Sequence, residues 1–134
     1  MDKLAVVAID DDENMREILK VILRQVMGCQ DVAIFSNSHN LPPLFETLHF
    51  QPDIILLDLV IKPLDGFEAL AQLREIPGLK RCKFVALTAK VMDDDIQRIK
   101  QAGFDGLIGK PIIRQVFPKL MADIANGERI WYVA

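Results

Sequence analysis

Asp10, Asp11, Asp58, Thr88 and Lys110 are the residues in this chain whose types and placement could do chemistry, because each stands where an apolar run stops. Asp58 closes the stretch Asp53-Ile-Ile-Leu-Leu-Asp58, Asp10 and Asp11 follow Leu4 to Ile9, Thr88 follows Lys83 to Leu87, and Lys110 follows Gly106 to Gly109. Consecutive aliphatics such as Ile54 to Leu57 can all be buried only if both faces of the segment are covered, which is the condition of a central strand in a parallel sheet. Parallel strands finish on one edge, so residues at their carboxyl ends become neighbours in space although they lie far apart in the chain. Three carboxylates, one hydroxyl and one ammonium then share a rim. Carboxylates crowded in this way repel and hold on to protons unless a cation sits among them. Mg²⁺, which suits a site with one or two carboxylates, several waters and a substrate phosphate better than a closed protein cage, is the natural ion for such a place. An aspartate there can act as a nucleophile toward phosphorus, provided the charge on the transferring oxygens is neutralised. Asp58, on the central strand, is the expected nucleophile, with Asp10 and Asp11 holding the metal and with Lys110 and Thr88 meeting phosphoryl oxygens. Any one of these residues alone reads better as a strand cap or a turn opener than as part of a site. The complementary set on successive strand ends is what points to a site.

The elements that must position these residues follow from periodicity. After the first strand, Met15, Ile18, Leu19, Ile22, Leu23 and Val26 form the stripe of a helix packed on one side, with Gly28 as its stop. Asp31 to Phe35 reads as a second strand, Ser36-Asn37-Ser38 as a turn, and Pro43 to Phe50 as a short helix with proline in its first turn. Beyond Asp58 comes a loop closed by the turn pair Asp65-Gly66, then a helix carrying Phe67, Leu70, Ala71 and Leu73 that ends before Pro77-Gly78. Asp93-Asp94-Asp95 opens a helix through Ala102, stopped by Gly103, with carboxylates at the end the dipole favours. A last helix runs from about Arg114 to Ala125, with Pro118 in its first turn or kinking it. The segment from Gly127 to Ala134, with Trp131 and Tyr132, shows no pattern that places it. Alternation of strands and helices predicts a doubly wound α/β domain with five parallel strands, five helices and right-handed crossovers. A single domain is expected over residues 1–134, with its core at about 4–125 and a tail at 126–134.

Composition narrows the classes. At 134 residues, 51% hydrophobic and 26% charged, the chain can bury a full core. A net charge of -3 argues against a nucleic-acid-binding surface. No apolar run approaches membrane-spanning length and no signal peptide opens the chain, so neither a membrane nor export is expected. Cys29 and Cys82 lack metal-ligand spacing and read as reduced thiols of a cytoplasmic protein. The initial methionine and the tail past the last helix suit a stand-alone protein. His39 and His49 read as surface or packing residues, away from the rim.

Ile9-Asp10-Asp11, Leu56-Leu57-Asp58 followed by Asp65-Gly66, Leu87-Thr88-Ala89, and Ala102-Gly103 with Lys110-Pro111 together resemble the receiver domain of bacterial two-component response regulators. The likeness spans about residues 4 to 125. It implies a flavodoxin-like sheet in the order 2-1-3-4-5, and phosphoryl acceptance on Asp58 from a sensor histidine kinase or a histidine phosphotransfer protein. It implies Mg²⁺ held by Asp11 and Asp58 directly, by Asp10 partly through water, and by the backbone carbonyl of Val60. Lys110 would pair with the phosphoryl group beside a cis bond to Pro111, and Ala89 would leave access for a partner's phosphohistidine. Val60 and Lys90 fall on the positions that tune hydrolysis of the aspartyl-phosphate, and an apolar Val60, which cannot position a water, predicts slow self-dephosphorylation. Two departures stand out. Leu107 occupies the place where most receivers carry a switching aromatic, and Lys62 stands where the loop proline usually falls, with Pro63 after it. Output would pass in trans to a protein partner, with a homodimer left open.

Other classes are weighed against this one. An aspartate-dependent phosphohydrolase uses similar parts but has a second acid two residues after its nucleophile, where this chain has Val60. A dinucleotide-binding domain needs glycines after the first strand, where this chain has Asp10-Asp11-Asp12-Glu13. A phosphorylation-independent interaction module of the same fold is kept open by Leu107.

Overall fold

The computed structural model describes residues 3–134. One parallel sheet runs through it, built from β1 (Val6–Ile9), β2 (Val32–Phe35), β3 (Ile54–Leu57), β4 (Lys83–Thr88), β5 (Gly106–Gly109) and β6 (Ile130–Tyr132). The order is β2-β1-β3-β4-β5-β6, with every neighbouring pair parallel. The expected five-strand order 2-1-3-4-5 is therefore present but incomplete. The segment that showed no pattern supplies a sixth strand, Ile130 to Tyr132, on the β5 edge. A strand of three residues is too short to display alternation, and that is why the sequence hid it.

Helices cover both faces. Between β1 and β2 lies α1 (Glu13–Val21), which continues through a wider π-helical turn over Ile22–Val26. The others are α2 (Leu41–Glu46), α3 (Gly66–Arg74), α4 (Asp93–Ala102) and α5 (Phe117–Ala125), with a 3-10 turn at Pro77–Leu79. Val7, Ile9, Ile55, Leu57, Phe84, Ala86 and Leu107 point to the face covered by α2, α3 and α4. Val6, Ala8, Ile54, Leu56, Val85, Leu87 and Ile108 point to the face covered by α1 and α5. All residues of β1, β3 and β5 are buried, so the unbroken apolar runs have the expected cause.

Several local expectations change. The α1 stripe is half right: Met15, Leu19, Ile22 and Leu23 are buried, but Ile18 and Val26 are 44% and 40% exposed. The π-helical turn rotates the last residues away from the periodicity of a regular helix. α2 starts at Leu41, with the prolines in its first turn where their missing N–H groups cost nothing. α5 begins at Phe117, so Pro118 opens it and does not kink it. Asp65-Gly66 is a helix start: Asp65 and Glu68 form a capping box on α3. Gly66 is required by close packing, since a Cβ there would lie 2.7 Å from the Leu59 Cα and 2.8 Å from the Asp58 carbonyl oxygen.

Candidate functional site

The carboxyl edge of the sheet gathers the five residues. β1 ends at Ile9 and delivers Asp10, which is 1% exposed, and β3 ends at Leu57 and delivers Asp58, which is 3% exposed. One oxygen of Asp10, Oδ1, accepts from the Asp12 amide at 2.9 Å, while Asp12 caps α1 by accepting from the Asn14 amide at 2.9 Å. The Arg16 guanidinium donates to the Asp10 carbonyl at 2.8 Å and fixes the backbone at that point. Asp11 is exposed at the mouth. Carboxylate oxygens of Asp10, Asp11 and Asp58 all lie within 4.8 Å of one another.

Lys110 reaches into this group from β5. Its Nζ lies 2.9 Å from Asp10 Oδ2 and 3.3 Å from Asp58 Oδ2. The other Asp58 oxygen, Oδ1, accepts from the Val60 amide at 3.3 Å. Burial pushes the Asp58 carboxyl up from the ordinary value of 3.8. The charge of Lys110 and the Val60 amide pull it down, Asp10 adds to the rise, and the net direction is upward. Burial acts on Lys110 in the opposite sense, but its pairing with Asp10 and the charge of Asp58 outweigh that, so the ammonium is held above 10.5.

Thr88 is buried at the end of β4, where its Oγ1 accepts from the Lys90 amide at 3.0 Å and its carbonyl accepts from the Lys110 amide at 2.8 Å. Ala89 and Lys90 are exposed beyond it. Val60 is 46% exposed at the mouth. With Lys62, Pro63, Lys90 and Arg98 it lines a concavity of about 330 Å³ between the loop after β3 and the start of α4. Leu107 lies elsewhere, fully buried in β5 against the α3 and α4 side of the core. The Lys110–Pro111 bond is cis, as the resemblance implied, and Lys62–Pro63 is cis as well, which no residue pattern had signalled. His39 and His49 are exposed.

Sequence reasoning missed Ser38. It is 1% exposed, its Oγ donates to the Leu64 carbonyl at 2.7 Å and accepts from the Leu64 amide at 2.8 Å, and its own amide donates to the Lys62 carbonyl at 2.9 Å. Ser38 thereby ties the loop after β2 to the loop after Asp58. A serine in a polar turn carries no signal of such a role, which only tertiary contact creates.

The donor set fits a hard cation. Asp10 Oδ2 is buried and, although the Lys110 ammonium lies beside it, receives no hydrogen bond of proper geometry. A buried carboxylate oxygen left open toward two further carboxylates is what an oxygen-coordinated divalent ion would complete.

The match to known proteins covers the part of the chain that carries these residues. Positions 6–122 match the response regulator receiver domain model. This chain belongs to that family. Among its relatives, the chemotaxis protein CheY of Halobacterium salinarum is 25% identical over 91% of this receiver and 97% of its own length. The hybrid signal transduction histidine kinase L of Dictyostelium discoideum is 31% identical over 81% of the receiver, which there corresponds to 6% of a much longer protein. The solved structure of the chemotaxis response regulator CheY4 of Vibrio cholerae superposes with a TM-score of 0.79 at 20% identity, covering 92% of this receiver and 99% of that chain, and so shares the fold. Among the described residues, no helix of the receiver is long and apolar enough to cross a membrane.

Proposed function

We propose that this receiver accepts a phosphoryl group on Asp58 and acts as a phosphorylation switch in two-component signalling. The observation that carries the proposal is the convergence of the Asp10, Asp11 and Asp58 oxygens within 4.8 Å, with the Lys110 ammonium 2.9 and 3.3 Å from two of these acids. A carboxylate oxygen of Asp58 attacks phosphorus, and the bond from phosphorus to the donor breaks. With a phosphohistidine donor the electrons of that bond return to the imidazole nitrogen, and with an acyl phosphate they leave on the carboxylate. Lys110 neutralises the developing charge and the Thr88 hydroxyl donates to a phosphoryl oxygen. Asp10, Asp11, Asp58 and the Val60 carbonyl would hold Mg²⁺, whose chemistry is to offset the negative charge gathered on these oxygens.

The donor is a sensor histidine kinase or a histidine phosphotransfer protein. Its phosphohistidine would come in over the rim, where the side chain of Ala89 is small. Read-out is by a protein partner. A phosphoryl group adds close to two charges and three acceptor oxygens at a buried rim, enough to re-dock Thr88 and the loop that follows it. Incubation with Mg²⁺ and a small acyl phosphate, followed by intact mass measurement, should show the gain of one phosphoryl group. The absence of a gain, or an equal gain in Asp58→Asn, would remove the basis of the proposal.

The exposed, apolar Val60 and its neighbour Lys90 set the lifetime of the product. Val60 cannot orient a water for attack, so the phosphorylated form should persist well beyond seconds after the donor is removed. Val60→Asn should shorten that lifetime in a time course followed by mass. Decay within seconds in the native protein would contradict this assignment.

A further inference from the structure

β6 lies beside the loop after Thr88 at one place and beside α4 at another. The first is Gly109, the residue before Lys110 and the register partner of Thr88. A Cβ on Gly109 would lie 3.2 Å from Val91 Cγ1 in that loop, 3.3 Å from the Tyr132 carbonyl oxygen and 3.6 Å from the Val133 Cα. Val91 and the end of β6 therefore both approach Gly109, which has no side chain to hold them off. The second place is lower in the sheet. Trp131 is in register with Leu107 and packs, partly buried, against the core on the α3 and α4 side of the sheet. The Lys100 ammonium of α4 lies 5.2 Å from the centre of its ring, a cation–π contact.

From these contacts we infer that β6 is the output element of this receiver, with Trp131 as the residue that senses the position of the Thr88 loop and α4. The inference rests on phosphorylation of Asp58 as proposed above. Movement of Thr88 toward a phosphoryl oxygen displaces Val91, three residues on in the same short loop, and with it the first turn of α4. Val91 cannot move toward or away from Gly109 without changing the space that Tyr132 and Val133 share. α4 cannot move without carrying Lys100 across the Trp131 ring. An edge strand of three residues, half-buried and joined to α5 by the exposed segment Asn126 to Arg129, is the least anchored part of the sheet. It yields before β5 does.

Trp131 is the only tryptophan in the chain, so its emission reads this contact directly. The protein with Mg²⁺ should show a shift in emission maximum and intensity when a small acyl phosphate is added, in step with the mass gain measured on the same sample. Asp58→Asn under identical additions should show neither. Val91→Ala, which leaves the acids, Thr88 and Lys110 in place, should gain mass as the native protein does and lose most of the emission shift. A mass gain without an emission shift overturns the inference and leaves the phosphorylation reading standing. An undiminished shift in Val91→Ala overturns the route through Val91. No mass gain in the native protein removes the phosphorylation reading and this inference with it.

Discussion

Lys110 answers two buried carboxylates with one ammonium, and the balance between them sets how the site behaves without metal. Because burial raises the Asp58 carboxyl, the folded protein keeps a proton on it at pH values where the unfolded chain has already released one. Ionising Asp58 therefore costs stability as pH climbs above the ordinary carboxylate value. Asp58→Asn removes that cost and leaves Asp10 as the partner of Lys110. In chelator at pH 7 the variant should be more stable than the native protein by about 1–2 kcal/mol, read from the urea midpoint. A lower midpoint would show that the Lys110 pair outweighs the cost of burying the Asp58 charge. Lys110 has the opposite sign: its contribution is complete below 10.5 and is lost only as pH rises through its higher folded value, so it adds no slope near neutrality. Cys82 gives a separate test. Burial, aided by Asp105 and Asp53, pushes its thiol up to about 12. At pH 8 the folded protein should resist iodoacetamide at Cys82 while urea-unfolded chain reacts readily, because the thiolate is the reacting species.

At the scale of elements, the loops hold the site and the helices fasten the loops. Ser38 braces Leu64 through two hydrogen bonds, one of them to each backbone polar group of that residue. Ser38→Ala should leave both Leu64 groups without their partner and lower stability by about 1–3 kcal/mol, measured by thermal or urea unfolding. It should also slow phosphoryl acceptance, since Lys62 and Leu64 anchor the loop that follows Asp58. A variant with unaltered stability would mean that water replaces the hydroxyl. This scale is also where legibility in the sequence was uneven. The four buried strands with their terminal Asp10, Asp58, Thr88 and Lys110 could be read directly, because burial on both faces forces continuous apolar runs and the carboxyl edge follows from parallel pairing. α4 was equally plain, with acids at one end and Gly103 at the other. What could not be read depends on partners distant in sequence. The roles of Ser38 and of Gly66 against Leu59, and the pairing of Ile130 to Tyr132 with β5, are contacts that leave no periodic trace. The exposure of Val26 was hidden for a related reason, because a π-helical turn changes the angular step without changing residue type.

For the whole molecule, the site and the fold share one free energy. An ion that binds the gathered acids of the folded state but not the unfolded chain must raise global stability by mass action, by about 2.7 kcal/mol at a hundred times its dissociation constant. Thermal unfolding in rising Mg²⁺ should move upward and then level as RT ln(1 + [Mg²⁺]/Kd) prescribes, and Asp10→Asn should flatten the response. A midpoint indifferent to Mg²⁺ in the native protein would argue that Lys110 keeps the acids for itself.

The parallel direction of β6 has a practical consequence. It returns the chain to the edge that bears Asp58, so Val133 comes out beside Gly109, whereas Lys3 lies at the opposite edge, before β1. Whatever is fused after Ala134, whether purification handle, fluorophore or second module, begins near the sheet edge that bears Asp58. An attachment at the other end of the chain starts from the opposite edge.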